Sequence, residues 1–210
     1  MPLLLLSLGI GAVPDFISTH IDRVPGEINI GYLNDASLPY SGAEFVAAER
    51  EHFAALGYSL TDVTAGDHDQ AGTFRSVLDE LDAIYVAGGN TFVLRSALRR
   101  NGTGDVLVEK VRAGLPYIGS SAGSIITGPS IEPVSLMDDP SEAPDLADHA
   151  GLALVDTVVI PHSDGVLPPY PPELIARIKQ TYESDYPLTF LNDDQALLFE
   201  NDSPLLIASP

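Results

Sequence analysis

Short apolar runs alternate with helical patterns along the chain, and this alternation predicts a parallel sheet covered by helices. No internal repeat and no linker rich in proline, glycine or serine divides the sequence, so we expect one domain over residues 1–210. The candidate strands are residues 3–10, 27–33, 58–63, 83–87, 116–119, 155–160 and 188–191, with a terminal hairpin that pairs 196–200 with 204–208 across 201–203.

The clearest helix pattern covers residues 42–56. Ser41 and Glu44 have the spacing of a capping box, and Gly57 supplies a stop signal. Helical spacing places four apolar residues on one face, namely Phe45, Val46, Phe53 and Leu56. Further helices are predicted over residues 91–100, 105–113 and 172–182.

Residues 133–150 form a long acidic stretch without regular periodicity. Loops of this length in a compact domain are usually functional or mobile. Its acidic side chains and one histidine suggest a divalent-cation site as one alternative, although the spacing fits no EF-hand. These residues are Asp138, Asp139, Glu142, Asp145, Asp148 and His149. We expect no metal or other cofactor.

The amino-acid composition excludes several kinds of chemistry. A hydrophobic content of 45% with 19% charged residues is typical of a globular protein. The absence of cysteine excludes disulfides, thiolate metal sites and a cysteine nucleophile, which leaves a serine or a water as the attacking group.

The formal net charge of −20 produces a field that repels nucleic acid and anionic membranes, so we expect neither as a partner. The apolar run Leu3–Leu6 follows no positive residue and is too short to span a bilayer. We therefore expect a first buried strand and a cytoplasmic enzyme.

The segment Gly119-Ser120-Ser121-Ala122-Gly123 has the G-x-S-x-G pattern of a nucleophile elbow. A predicted strand precedes it, and a helix is predicted to start near Ser124. In such a turn the hydroxyl of Ser121 stands clear of the sheet, and the N–H groups at the start of the helix face a developing oxyanion.

A serine nucleophile needs a base and a group that orients the base. His162 is the favoured base because it follows a predicted buried strand at the end where open α/β sheets place their sites. Asp193 and Asp194 follow another strand, and either could orient His162. In an esterase alternative, Asp156 would take this part instead.

Two N–H groups could stabilise an oxyanion. Ala122 follows the candidate nucleophile and supplies one of them. The loop Gly88-Gly89-Asn90 ends a predicted strand and supplies the other, since glycine lets the backbone approach a substrate closely.

Taken together, the spaced motifs resemble peptidase family S51, the aspartyl dipeptidase (peptidase E) group, which also contains cyanophycinases. The resemblance rests on Gly88-Gly89-Asn90-Thr91-Phe92, Gly119-Ser120-Ser121-Ala122-Gly123, Gly128-Pro129, Pro161-His162 and an opening segment Gly9-Ile10-Gly11-Ala12-Val13-Pro14-Asp15-Phe16. It implies a three-layer αβα sandwich with a mostly parallel sheet, related to class I glutamine amidotransferases. It also implies hydrolysis of dipeptides with an N-terminal aspartate, without metal or cofactor.

The resemblance also assigns residues. The family nucleophile falls on Ser121, its histidine on His162 and its oxyanion-hole glycine on Gly89, with Gly88 adjacent. Where the best-known members carry glutamate as third member of the triad, this chain has Asp193, and Asp194 stays an alternative.

The substrate poses an electrostatic problem, because an aspartate carboxylate must bind to a strongly acidic protein. Arg177 is the candidate partner for that carboxylate, since arginine pairs with it bidentately. Asp139 is the candidate for the substrate ammonium, and Asn90 is a third binding candidate. A cyanophycinase-like relative would instead cleave β-aspartyl–arginine units. We expect a small peptide as the partner and a monomer or homodimer.

Overall fold

The computed structural model describes residues 1–40, 42–68, 70–200 and 204–210. Its strands are β1 (Leu3–Leu6), β2 (Asn29–Leu33), β3 (Ser59–Val63), β4 (Ala83–Val86), β5 (Tyr117–Ser120), β6 (Val158–Ile160), β7 (Leu188–Phe190), β8 (Gln195–Phe199) and β9 (Leu205–Ala208). The helices are α1 (Val13–His20), α2 (Glu44–Ala55), α3 (Ala71–Asp79), α4 (Thr91–Arg99), α5 (Thr103–Arg112), α6 (Ala122–Ile125) and α7 (Pro172–Tyr182).

Seven strands form one sheet in the order β3-β2-β4-β5-β1-β8-β9. Neighbours from β3 to β1 run parallel, whereas β8 is antiparallel to both β1 and β9. The predicted α/β fold with a mostly parallel sheet is therefore confirmed. The two strands β6 and β7 pair with each other, in parallel, as a separate small sheet.

Alternating side chains of the sheet feed two apolar cores, one on each face. In β1, Leu3 and Leu5 belong to one core, while Leu4 and Leu6 belong to the other. Helices α1 and α2 cover the second core, and α3 to α7 cover the first. The result is three layers, helix–sheet–helix, and fully buried strand positions on both faces explain the continuous apolar run of β1.

Several local predictions differ from the structure. Strand β1 ends at Leu6, so the predicted strand over 3–10 is too long. Helix α3 lies outside the predicted helices, although Phe74 and Leu78 bury one of its faces at helical spacing. It starts without a side-chain cap. The terminal hairpin is present as β8 and β9, and the turn assigned to residues 201–203 lies outside the described residues.

Helix α2 is more exposed than its pattern predicted. Its N-cap is Ala43, which provides no side-chain cap, and Ser41 lies outside the described residues. Phe53 is the buried apolar residue of its face, whereas Phe45 and Leu56 remain 50% and 39% exposed. The stop at Gly57 is confirmed, since this glycine has a φ of 85°.

In the parts of the chain that the structure describes, no helix combines the length and the apolar character needed to cross a membrane. The parallel arrangement brings the carboxyl ends of β1, β4 and β5 to one edge of the sheet. This edge carries the candidate site.

Candidate active site

The turn at Ser121 has the backbone of a nucleophile elbow. Strand β5 ends at Ser120 and α6 begins at Ala122, so the helix starts directly after Ser121 and not near Ser124 as predicted. Ser121 has φ 47° and ψ −106°, a region that a side chain rarely adopts. A Cβ on Gly123 would lie 2.0 Å from the carbonyl oxygen of Val86, which explains why the motif needs glycine there.

His162 connects Ser121 to Asp193. Its Nε2 lies 3.1 Å from Ser121 Oγ, and its Nδ1 lies 2.6 Å from Asp193 Oδ1. The imidazole is 2% exposed, whereas Ser121 and Asp193 are partly exposed. A proton on Nδ1 that is donated to the carboxylate leaves Nε2 free to accept the serine proton.

The alternatives for the carboxylate are not brought to His162. Asp194 is exposed, and its carbonyl oxygen accepts a hydrogen bond from the Ser209 N–H at 2.7 Å. Asp156 is exposed and precedes β6, at the end of that strand opposite His162. The geometry therefore favours Asp193 over both.

Ser7 is a member of this network that the sequence analysis missed. It directly follows β1 and is fully buried. Its Oγ accepts a hydrogen bond from the His162 N–H at 2.8 Å and donates one to Asp193 Oδ1 at 3.1 Å. A lone hydroxyl residue at the carboxyl end of an all-leucine strand was the available signal.

The loop after β4 lies beside Ser121. A Cβ on Gly88 would be 3.4 Å from Ser121 Cβ, and one on Gly89 would overlap the Ala36 carbonyl oxygen at 2.1 Å. Gly89 also has a φ of 135°. Within the described residues, the N–H groups of Gly89 and Ala122 have no backbone acceptor, so both remain available as oxyanion donors.

Asn90 shapes this loop, and its amide is engaged within the protein. Its Oδ1 accepts hydrogen bonds from the Phe92 and Val93 N–H groups, which caps α4, and its Nδ2 donates to the Asp139 carbonyl oxygen at 3.0 Å. The residue is 1% exposed. This differs from the predicted substrate contact, because capping and loop anchoring already use both ends of the amide.

Asp139, the predicted contact for the substrate ammonium, and its neighbour Asp138 have different surroundings in the structure. The carboxylate of Asp139 is exposed and accepts a hydrogen bond from the Ser141 N–H at 2.9 Å. The neighbouring Asp138 instead points toward α4, where its Oδ2 accepts from the N–H and Oγ1 of Thr91 at 2.8 and 2.6 Å.

The electrostatic surroundings of Asp138 include Tyr40, Tyr170 and His162. Burial raises the pKa of Asp138, while the hydrogen bonds from Thr91 and a positive charge on His162 act to lower it. Burial raises the pKa of Tyr170, and the charge of Asp138 adds to that effect. The Tyr170 ring stacks on the His162 ring with centroids 4.7 Å apart and planes at 6°. The same carboxylate acts on Tyr40, whose pKa is raised first by burial.

No described contact brings Arg177 to Ser121 or His162. It lies on the exposed side of α7, whose Ile175 and Ile178 are buried. Among the described residues, the groups that act on the pKa of Asp138, Tyr40 and Tyr170 include no lysine or arginine. Arg177 as the partner of the aspartate carboxylate therefore stays a prediction.

The acidic segment does not converge on a common centre. Asp148 pairs with Arg99, and His149 pairs with Glu132. In the described ranges, no three His, Asp or Glu side chains are arranged to hold a metal ion. The divalent-cation alternative thus has no structural support from these residues.

Comparison with known proteins identifies the family. The profile of peptidase family S51 matches residues 12–207. An uncharacterized peptidase of Pasteurella multocida is 39% identical over 125 residues, which cover 60% of this chain and 59% of that protein. A Peptidase E of Streptomyces coelicolor is 38% identical over 134 residues, which cover 62% of this chain and 53% of the relative.

Among solved structures, the fold is similar to that of a protein from Listeria monocytogenes EGD-e that is provisionally assigned as a peptidase E. The TM-score is 0.85 at 27% sequence identity, and the match covers 99% of this chain and 98% of that one. Both kinds of comparison therefore agree with the family that the motifs predicted and with the observed fold.

Proposed function

We propose that the chain, which belongs to the serine-type peptidase family S51, hydrolyses short peptides through a Ser121-His162-Asp193 triad. One observation carries this proposal. Ser121 Oγ, both ring nitrogens of His162 and Asp193 Oδ1 form one unbroken chain, with steps of 3.1 and 2.6 Å.

The proposed reaction is acyl transfer in two steps. His162 takes the proton from Ser121 as Oγ attacks the peptide carbonyl, and the N–H groups of Gly89 and Ala122 stabilise the oxyanion. His162 then gives the proton to the leaving amine. Water attacks the acyl-enzyme by the reverse proton path, while Asp193 keeps the imidazole oriented.

The proposed substrate is a dipeptide with an N-terminal aspartate. Relatives that carry the name Peptidase E support this choice. The carboxylates near Tyr40, which are Asp138, Asp139 and Glu142, favour a second candidate, because they suit a cationic substrate better than an anionic one. That candidate is a cyanophycinase-like peptidase that cleaves β-aspartyl–arginine units.

Labelling with a fluorophosphonate tests the triad directly. We expect the wild type and the Ser120→Ala variant to be labelled, and Ser121→Ala to lose both labelling and peptide hydrolysis while it stays folded. Ser120 is the matched control because it is adjacent and buried, at the end of β5. Hydrolysis by Ser121→Ala at the wild-type rate would refute the proposal.

The substrate is best tested with a panel of Asp-Xaa, Glu-Xaa, β-Asp-Arg and N-acetylated peptides, assayed with and without EDTA. The aspartyl dipeptidase proposal predicts the highest kcat/KM for Asp-Xaa and no loss of activity in EDTA. A preference for β-Asp-Arg would favour the second candidate, and a requirement for a metal would contradict both.

A further inference from the structure

Asp138 is a carboxylate at the candidate site that the triad does not use. It lies in a segment held against the loop after β4, since the Asn90 amide binds the carbonyl oxygen of the next residue, Asp139. Its own N–H donates to the Val134 carbonyl oxygen at 3.0 Å. The backbone that carries this side chain is therefore fixed from both sides.

One oxygen of Asp138 is satisfied and the other is open. Oδ2 takes both hydrogen bonds from Thr91, whereas Oδ1 has no hydrogen-bond donor among the described residues. The side chain is half-buried, and burial raises the pKa of its carboxyl. An open carboxylate oxygen in such a place is suited to a charged donor that arrives with a ligand.

Stabilising α4 uses only one oxygen of this carboxylate. Asn90 caps that helix through hydrogen bonds from the Phe92 and Val93 N–H groups, and Asp138 Oδ2 adds the acceptor for Thr91. Oδ1 takes no part in capping, so it is left for a ligand that lies beside the loop after β4.

The electrostatics of the reaction indicate the charge of the missing partner. An uncompensated carboxylate beside His162 opposes the negative charge that develops on the substrate carbonyl oxygen. A cation bound to Asp138 cancels this unfavourable interaction. Among the described residues, no lysine or arginine forms a hydrogen bond or ion pair with Asp138, so we assign that cation to the substrate.

We propose that Asp138 binds the N-terminal ammonium of the peptide substrate, which makes the enzyme selective for peptides with a free N-terminus. This inference rests on the proposed serine-peptidase function. It assigns the ammonium to Asp138 and not to Asp139, whose carboxylate is exposed and bound to the Ser141 N–H. The bound ammonium both anchors the peptide and neutralises Asp138, so blocking it lowers kcat as well as raising KM.

The test compares three proteins on matched peptide pairs. Wild type, Asp138→Asn and Asp139→Asn are assayed on Asp-Leu, Ala-Leu and Lys-Leu and on their N-acetylated forms. We expect the wild type to prefer the free peptides by about 100-fold or more, the size typical of a buried charge pair that loses one partner. Asp138→Asn loses most of this preference, and Asp139→Asn keeps it within about 3-fold.

Two readouts separate this inference from the function on which it rests. Labelling of Ser121 by an uncharged fluorophosphonate reports the triad without an ammonium. It should proceed in Asp138→Asn at least as fast as in the wild type, because the amide removes the charge that opposes a developing oxyanion. Calorimetric binding of Asp-Leu and N-acetyl-Asp-Leu to Ser121→Ala and to Ser121→Ala/Asp138→Asn tests the ammonium contact without turnover. Loss of labelling in the wild type would contradict the serine-peptidase proposal and leave the binding test intact.

Three outcomes would overturn the inference. Equal losses on free and acetylated peptides in Asp138→Asn would show a purely structural role. An unchanged preference for free peptides, in either assay, would show that another group binds the ammonium. A change confined to Lys-Leu would show that Asp138 contacts the substrate side chain and not its N-terminus.

Discussion

The protein contains two hydrogen-bond networks of polar side chains, and they differ in whether one end of the network is left without a partner. Under α2, Glu49 accepts hydrogen bonds from the hydroxyls of Tyr32, at 2.5 Å, and of Tyr85. At the edge of the sheet, Asp193, His162 and Ser121 form the other network. Both place a carboxylate among neutral hydrogen-bonding groups in a poorly solvated region.

The network at Glu49 is closed. Each carboxylate oxygen has a tyrosine donor, and burial raises the pKa of both tyrosines and of Glu49. The network at Ser121 ends in a partly exposed hydroxyl on a strained backbone. An open end and local strain, more than burial of charge, therefore distinguish a site of chemistry from a structural polar cluster.

The largest expected effect comes from the carboxylate of the open network. Asp193→Asn removes the acceptor that fixes the His162 tautomer, and we expect kcat/KM to fall by about 10³- to 10⁴-fold. The adjacent exposed Asp194→Asn and the closed-network Glu49→Gln should stay within about 3-fold of the wild type. Steady-state kinetics on the best peptide measure this difference, and similar losses in all three variants would break the comparison.

Gly89→Ala should reduce both stability and activity. The new Cβ would overlap the Ala36 carbonyl oxygen and occupy a φ of 135°. Because backbone strain and overpacking each cost about 1 to 3 kcal/mol, we expect the free energy of unfolding to fall by about 2 to 6 kcal/mol. Urea denaturation measures this change. Gly72→Ala is the control, since its Cβ would meet nothing within 4 Å, and equal stabilities would contradict the argument.

Ser7→Ala tests a residue that positions the others without contacting the substrate. It leaves the His162 N–H and one Asp193 interaction unsatisfied. We expect kcat to fall about 10- to 100-fold with little change in KM, because loss of one buried hydrogen bond costs about 1 to 3 kcal/mol. Ser7→Thr keeps the hydroxyl and should restore part of kcat. Equal kcat values for the alanine and threonine variants would assign Ser7 no part in positioning.

The strain at Ser121 predicts a smaller effect on stability. Ser121→Gly should be more stable than Ser121→Ala by about 1 kcal/mol, since glycine adopts a positive φ without steric cost. At Ser163, whose φ is not positive, the order of the same pair should reverse. Urea denaturation of the four variants decides the matter, and the same order at both positions would argue against stored strain.

The smallest effect concerns the dependence of stability on pH. Burial raises the pKa of Glu49 in the folded protein, so the folded state holds this proton more tightly than the unfolded chain does. The contribution of Glu49 to the free energy of unfolding is therefore largest below its unfolded pKa and declines as pH rises through the raised value. Glu49→Gln lacks this decline.

Denaturation of the wild type and Glu49→Gln between acidic and neutral pH measures this difference. The variant should gain stability relative to the wild type as pH rises, with unchanged peptidase kinetics. Parallel stability curves for the two proteins would contradict the expected linkage. Glu44→Gln, in the exposed first turn of α2, controls for the removal of one charge.

The sequence predicted the α/β fold because apolar runs and helical periodicity are local signals. The sequence analysis expected Ser121, His162 and Asp193 to meet because the parallel strands of one sheet deliver their carboxyl ends to one edge. The three residues do meet, but His162 and Asp193 follow β6 and β7 of the separate small sheet. The same reasoning could not choose between Asp193 and Asp194, since one residue of backbone register decides which carboxylate reaches the imidazole.

Contacts between distant segments were beyond local signals. Ser7 carries no motif, and its bonds join residues 155 and 186 positions away. The sequence also could not show that Thr91 draws Asp138 inward while Asp139 stays exposed. The face of α2 was misjudged because periodicity does not reveal how much of a helix its neighbours cover.

The position of β1 links biosynthesis to catalysis. This segment is translated before β5 and β8, yet it lies between them and brings Ser7 to partners 155 and 186 positions further along the chain. A nascent chain therefore holds an incomplete proton path until the segments that carry His162 and Asp193 have docked. Onset of fluorophosphonate reactivity during refolding would consequently report the docking of these segments.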